Sequence, residues 1–240
     1  MYYLHYEGEE IPYTLIKSKR KTIGIKITDG GEVVVSAPLR ASDKVIEEIV
    51  VKKARWIVEK LKLVKEIQNK IEKREYISGT LIRVLGKEYE LKVEEVMIKG
   101  ASVKFDGSKF NVRVNEGLTK EGKQQFIKEV LVLWMRKKAK EVFEERTRYY
   151  ANRLQLNPNK ITIKEQKTLW GSCSSKNNIN FNWRLIMAPI EILDYVIVHE
   201  LSHLKHRNHS KNYWDFVKEA MIDYEERRQW LKANGGKLVL

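Results

Sequence analysis

Four of the chain's five histidines fall within eleven residues, in the run His199-Glu200-Leu201-Ser202-His203-Leu204-Lys205-His206-Arg207-Asn208-His209. On a helix, His199 and His203 stand one turn apart on a common face, where two imidazoles can share a metal ion, and Glu200 lies beside them within reach of a water at that ion. A catalytic zinc takes three protein ligands and leaves its fourth position to water, so a third donor must come from beyond the pair. His209 follows His199 by ten residues, the spacing of a helix that stops and a chain that turns back over its metal. His206 is the rival, but three ligands along one straight helix would be strung over about 10 Å, too far to share one ion. The glycine that commonly makes such a turn is replaced here by His206, which leaves Asn208 as the residue expected to bend the chain. With this shell, zinc would lower the pKa of its water to about 7, and Glu200 would take the proton and pass it to a leaving amine.

These side chains need elements to position them. Pro189 suits a first helical turn, and the helix is predicted to run to Arg207 with Ile190, Leu193, Ile197, Leu201 and Leu204 as one apolar stripe that leaves His199, Glu200 and His203 off it. Ser210 is expected to cap a following helix through Trp214, Val217 and Met221. Upstream, Lys160–Lys164 reads as a strand, and residues 169–183 read as a hairpin turning around Ser174 to Asn177, whose exposed edge could pair with an extended peptide. Tyr195, Trp170, Asn182 and Trp214 are the residues expected to line the cleft or support the ligands. Cys173 reads as a small buried side chain in a tight strand rather than a ligand or nucleophile, and His5 as incidental.

The remainder divides near residue 116 into a β-rich part with a long helix, 1–115, and an α+β catalytic part, 116–240. Strand patterns occupy residues 11–17, 22–28 and 32–37, with a turn at Asp29-Gly30-Gly31. Ser42 can cap a helix over 43–73 that buries Val45, Ile49, Trp56, Leu63 and Ile67. Strands resume at 80–85, 88–93 and 96–99, and residues 102–114 read as a hairpin turning at Asp106-Gly107. Thr119 caps a second long helix to about Leu154, through Phe126, Val130, Leu133, Trp134 and Val142. No internal repeat is visible.

Composition narrows the class. The chain has 240 residues, 42% of them hydrophobic, enough for a sizeable core, and its single cysteine forbids an internal disulfide. No apolar run approaches the eighteen or so residues of a membrane span and the N-terminus lacks the pattern of a secretory signal, so the expected location is cytoplasmic, with no membrane partner. The formal charge of +14 is compatible with a nucleic-acid contact, yet its lysines and arginines alternate with acids along helices, as on solvated faces.

The run Lys167-Thr168-Leu169-Trp170-Gly171-Ser172-Cys173-Ser174, the strand Ile179–Asn182, the entry Met187-Ala188-Pro189, and Asp194-Tyr195 through His199-Glu200-x-x-His203 to Asn208-His209-Ser210 and Tyr213-Trp214 resemble the YgjP-like metallopeptidases, relatives of the SprT-type zincins. Ala37-Pro38, Lys53 to Trp56, Gly86 and Tyr89 extend the likeness toward the N-terminus. The resemblance implies a zincin-like α+β fold, Zn2+ held by His199, His203 and His209, Glu200 as catalytic base, and a peptide or protein substrate. Many members carry arginine where this chain has Leu169. Two other functions fit the residues: a zinc-dependent hydrolase of a nucleotide or other non-peptide substrate, and a DNA-associated SprT-like protease or nucleic-acid-binding module with structural zinc.

Overall fold

The computed structural model describes residues 2–28, 30–72, 74–166 and 169–240, without the side chains of 70–72. The fold is α+β, as expected, and forms two compact units, Met1–Lys73 and Arg74–Leu240, each around its own apolar core. The division therefore falls at 73/74 and not near 116. Its physical reason lies in the strands of 81–115, whose apolar face is buried against the long helix that follows them.

In the first unit, β1 (Tyr2–Tyr6), β2 (Glu9–Ser18), β3 (Gly24–Ile27) and β4 (Val33–Pro38) form a sheet of order β1-β2-β4-β3, with β2 and β4 parallel and the outer pairs antiparallel. Alternate residues such as Leu4, Ile11, Tyr13, Val33 and Val35 point inward, the period of a half-buried strand. The expected single helix breaks in two, α1 (Asp43–Lys52) and α2 (Ala54–Glu72), at Lys53, whose N–H still donates to Ile49 and Val50 carbonyls. Ser42 accepts from the Val45 N–H at 3.4 Å, the predicted cap. The buried stripe is Ile46, Val50, Ala54 and Ile57, whereas Val45 and Trp56 are exposed. Of the predicted Asp29-Gly30-Gly31 turn, Asp29 lies outside the described residues.

The second unit opens with β5 (Leu81–Val84), β6 (Lys87–Val96), β7 (Ala101–Phe105) and β8 (Lys109–Asn115), in the order β5-β6-β8-β7, again with a parallel central pair and antiparallel flanks. The stretches 88–93 and 96–99 are thus not two strands: 87–96 is one. A repeat hidden in the sequence appears here, since both units run hairpin, hairpin, helix with one strand order. Both first hairpins close on two-residue turns with positive φ at each position, Glu7 (50°) and Gly8 (81°), then Leu85 (48°) and Gly86 (78°), the twist that suits antiparallel strands. At the predicted Asp106-Gly107 turn, Asp106 accepts from Ser108, Lys109 and Asn111, which holds its carboxyl well below the usual range.

Helix α3 (Lys120–Leu154) begins at Thr119, which accepts from the Gly122 N–H at 3.2 Å, and ends at left-handed Gln155. Its N-terminal half lies on the β5–β8 sheet, with the Trp134 and Phe110 ring centroids 4.7 Å apart. Its C-terminal half meets a three-stranded sheet of β9 (Lys160–Lys164), β10 (Gly171–Cys173) and β11 (Asn178–Asn182), where Phe143 stacks on Phe181 at 4.4 Å. The order is β10-β11-β9, so β10 is an edge. A 3-10 turn, Trp183–Met187, then leads into α4 (Ile190–Ser202), α5 (Lys211–Ala220) and α6 (Tyr224–Asn234). Helix α4 is buried on nearly all sides, not along one stripe, because α3, α5, α6 and β10 surround it. No described helix is long and apolar enough to cross a membrane.

Candidate active site

The last turn of α4 carries His199 and Glu200, and the helix stops at Ser202 instead of reaching Arg207. Leu204 donates its N–H to the Leu201 carbonyl, and Lys205 and His206 donate theirs to Ser202, tightening the chain before it leaves. His203 Nδ1 sits 3.2 Å from the His206 carbonyl, an arrangement in which Nδ1–H donates and Nε2 stays free as a ligand atom. Asn208 does not take a left-handed conformation. The bend is held instead by Arg207, whose guanidinium donates to the Ser174 carbonyl (3.0 Å) and the Asn177 Oδ1 (2.5 Å) in the β10–β11 turn.

This bend carries His209 back over α4. His209 Nε2 and His199 Nε2 stand 3.2 Å apart, and one ring nitrogen from each of His199, His203 and His209 falls within 4.8 Å of the others. Two nitrogens on a tetrahedral zinc at 2.0–2.1 Å would be separated by about 3.3 Å, so the His199–His209 spacing fits that ion. Burial first, then its two histidine neighbours, pushes the His199 imidazole down to about 3, and burial lowers His203 as well. Both therefore stay neutral, which is the form that ligates a metal. His206 is outside the cluster, its ring against Phe216 at 5.7 Å.

Glu200 is only 4% exposed, and burial pushes its carboxyl up to about 8. It abuts the backbone of Gly171: a Cβ there would stand 2.6 Å from Glu200 Oε1 and 2.7 Å from Cγ. Only glycine lets the edge strand approach so closely. Asn182 donates its N–H to the Trp170 carbonyl and Ser174 donates to Asn178, so Trp170, Ser172 and Ser174 bond inward to β11. The alternation of an antiparallel ladder then turns the N–H and C=O groups of Gly171 and Cys173 to the free edge, beside Glu200.

Comparison with known proteins matches residues 21–234 to a family described as YgjP-like, metallopeptidase domain. The chain belongs to the YgjP-like metallopeptidase family. No curated protein matches this YgjP-like chain. Among solved structures it is similar to the metallopeptidase zymogen of Pyrococcus abyssi abylysin, at 21% identity over 38% of this chain and 93% of that one, with a TM-score of 0.34. It is also similar to the metallopeptidase zymogen of Methanocaldococcus jannaschii jannalysin, at 23% identity over 40% and 97%, with a TM-score of 0.35. A family of metallopeptidases implies a bound metal, usually zinc, and the three-histidine donor set fits one.

Around the site of this YgjP-like protein, the other predicted residues take distinct places. Trp214 stacks on His209 (5.5 Å, 21°) and on Tyr224 (5.5 Å, 20°), forming a wall. Tyr195 is buried 5.9 Å from the His199 ring, and burial pushes its hydroxyl up to about 12. Trp170 lies on the backbone of Gly235, where a Cβ would come within 2.8 Å of its ring. Asn182 is spent internally: its amide donates to the Gln166 and Leu169 carbonyls and its Oδ1 accepts from the Arg184 N–H, which holds the loop ahead of β10. Lys167 and Thr168 in that loop lie outside the described residues. Cys173 is half-buried on the edge strand, and burial raises its thiol.

Two supports were missed in the sequence. Tyr213, fully buried, donates its hydroxyl to the His199 carbonyl at 2.9 Å and lays its ring along His203 at 4.8 Å. Asp194, buried one turn ahead of Val198, accepts from Arg146 Nε (2.8 Å) and from Tyr150 (3.1 Å) on α3. An aspartate amid the apolar residues of α4 was the available signal, because a buried carboxylate demands a partner.

Proposed function

We propose that this chain is a zinc-dependent peptidase in which His199, His203 and His209 hold the metal and Glu200 is the general base. The convergence of three imidazoles beside a buried carboxyl at an open β edge carries this reading. When bound, zinc supplies Lewis acidity toward a substrate carbonyl and toward water. The free backbone groups of Gly171 and Cys173 pair with an extended peptide and lay its scissile bond over Glu200. Glu200 accepts the proton of the attacking water and delivers it to the departing amine. Tyr213 and Trp214 hold the imidazoles in place while this happens.

Metal analysis of the purified protein is expected to give about one zinc per chain, lost in His199→Ala and in His209→Ala. Glu200→Gln is expected to keep the zinc and lose cleavage of a denatured protein substrate. Undiminished cleavage by Glu200→Gln would sink the assignment of the base. Hydrolysis of nucleoside triphosphates with peptides left intact would move the chain to another substrate class.

A further inference from the structure

Helix α6 sends one face toward the site. Tyr224, Arg228, Leu231 and Gly235 recur at helical spacing: Tyr224 stacks on Trp214, Leu231 is buried, and Gly235 lies under Trp170 at the start of the edge strand. Arg228 shares that face. Its guanidinium carbon lies 4.7 Å from the Trp214 ring, which in turn stacks on His209. Its neighbour Arg227 is consumed by structure, bonding Asp223 (2.9 Å) and the Glu191 carbonyl (3.0 Å). Arg228, by contrast, is exposed and makes no hydrogen bond or ion pair among the described residues beyond the stacking on Trp214. The Trp214 ring beneath it lies 5.5 Å from the His209 ring and 6.0 Å from the His199 ring, so Arg228 stands at the rim of the histidine cluster.

A cation stacked on an aromatic wall is held in position with its donors unspent. Beside a site that would gather a metal dication, an added cation is repelled, and an anion in the cleft offsets that repulsion. We infer that Arg228 is a specificity-determining residue that binds a carboxylate of the peptide substrate, so that the site prefers acidic peptides. The carboxylate is either an acidic side chain near the scissile bond or the free C-terminus of a short substrate. This deepens the peptidase reading and rests on it.

The test uses zinc-loaded Glu200→Gln protein, which binds without turnover, and fluorescent peptides read by anisotropy. The peptides carry Glu or Gln at the positions flanking the cleavage site, each with a free or an amidated C-terminus. A charge-assisted contact predicts that the acidic peptides bind about tenfold more tightly than their neutral counterparts. A preference that follows Glu against Gln assigns the side chain, and one that follows free against amidated ends assigns the C-terminus. Adding Arg228→Gln should erase the preference, Arg228→Lys should keep most of it, and Arg228→Glu should reverse it toward lysine-containing peptides. Equal affinity for acidic and neutral peptides, or a preference that survives Arg228→Gln, overturns the assignment. Peptide binding with the expected preference but no cleavage by the wild-type protein would instead leave Arg228 standing and fail the peptidase reading.

Discussion

A side chain at Gly171 would run into Glu200, and the consequence is testable. Gly171→Ala inserts a methyl 2.6 Å from Glu200 Oε1, and because the intruding atom springs from a strand backbone, the carboxyl must move. A displacement of about 1 Å can cost a hundredfold in rate, so this variant is expected to keep its metal and to lose kcat by about that factor. A pH dependence follows from the same carboxyl. In the metal-free protein Glu200 is raised from its ordinary 4.5 to about 8, so its contribution to stability is fully present below pH 4.5 and is lost as pH rises through 8. Glu200→Gln should therefore match the metal-free wild type near pH 4.5 and exceed it at pH 8, by about 2–4 kcal/mol, in denaturant unfolding at the two pH values. His199, pushed down to about 3, acts in the opposite sense, costing stability as pH falls below 6.5, and cancels in the comparison because both proteins carry it. The grouping of His199, His203 and His209 was legible because ligand spacing is a local property. Tyr213 and Arg207 were not, since what they hold, a carbonyl on α4 and the tip of a hairpin, is distant in the chain.

At the scale of elements, the long helix α3 was placed correctly and its buried face only in part, with Val142 buried and Val130 and Trp134 packed on the core. Helix α3 has apolar residues on more than one side, and Phe126 and Leu133, which the pattern put in the core, are exposed, while Ile127, Leu131 and Met135 are buried. Periodicity counts apolar positions; the packing partner decides which of them face inward. The same holds for α4, where the sequence suggested an amphipathic helix and the neighbours on all sides made it a central one. Its anchorage to α3 runs through Asp194, 7% exposed at its side chain, and Arg146, whose guanidinium the carboxylate holds well above its ordinary proton affinity. Asp194→Asn leaves a cation in a half-buried place without its counter-charge and is expected to destabilise the protein by about 2–4 kcal/mol in thermal or denaturant unfolding. At the bend, Arg207→Ala frees the β10–β11 turn from the loop that carries His209. Zinc affinity measured by competition with a chelator should fall by about 10- to 100-fold, as for other supports of metal ligands.

For the whole molecule, all three histidines and their supports lie within Arg74–Leu240, a unit with its own core. A chain beginning at residue 74 is accordingly expected to fold and to bind one zinc, measured by metal content and by the rise in melting temperature on adding the ion. A fragment that binds zinc only with residues 1–73 present would contradict this. The two units also supply a matched pair of turns. Gly8 and Gly86 occupy the same place in the same hairpin, and both need positive φ, yet a Cβ at Gly8 meets nothing within 4 Å, whereas at Gly86 it would press within 3.0 Å of Pro189 at the head of the active-site helix. One fold thus holds an internal control for the seating of α4: asparagine, which tolerates the left-handed region, should pass unnoticed at position 8 and disturb α4 at position 86. The difference between the two variants would isolate what the close approach of the Gly86 turn to Pro189 contributes to seating α4.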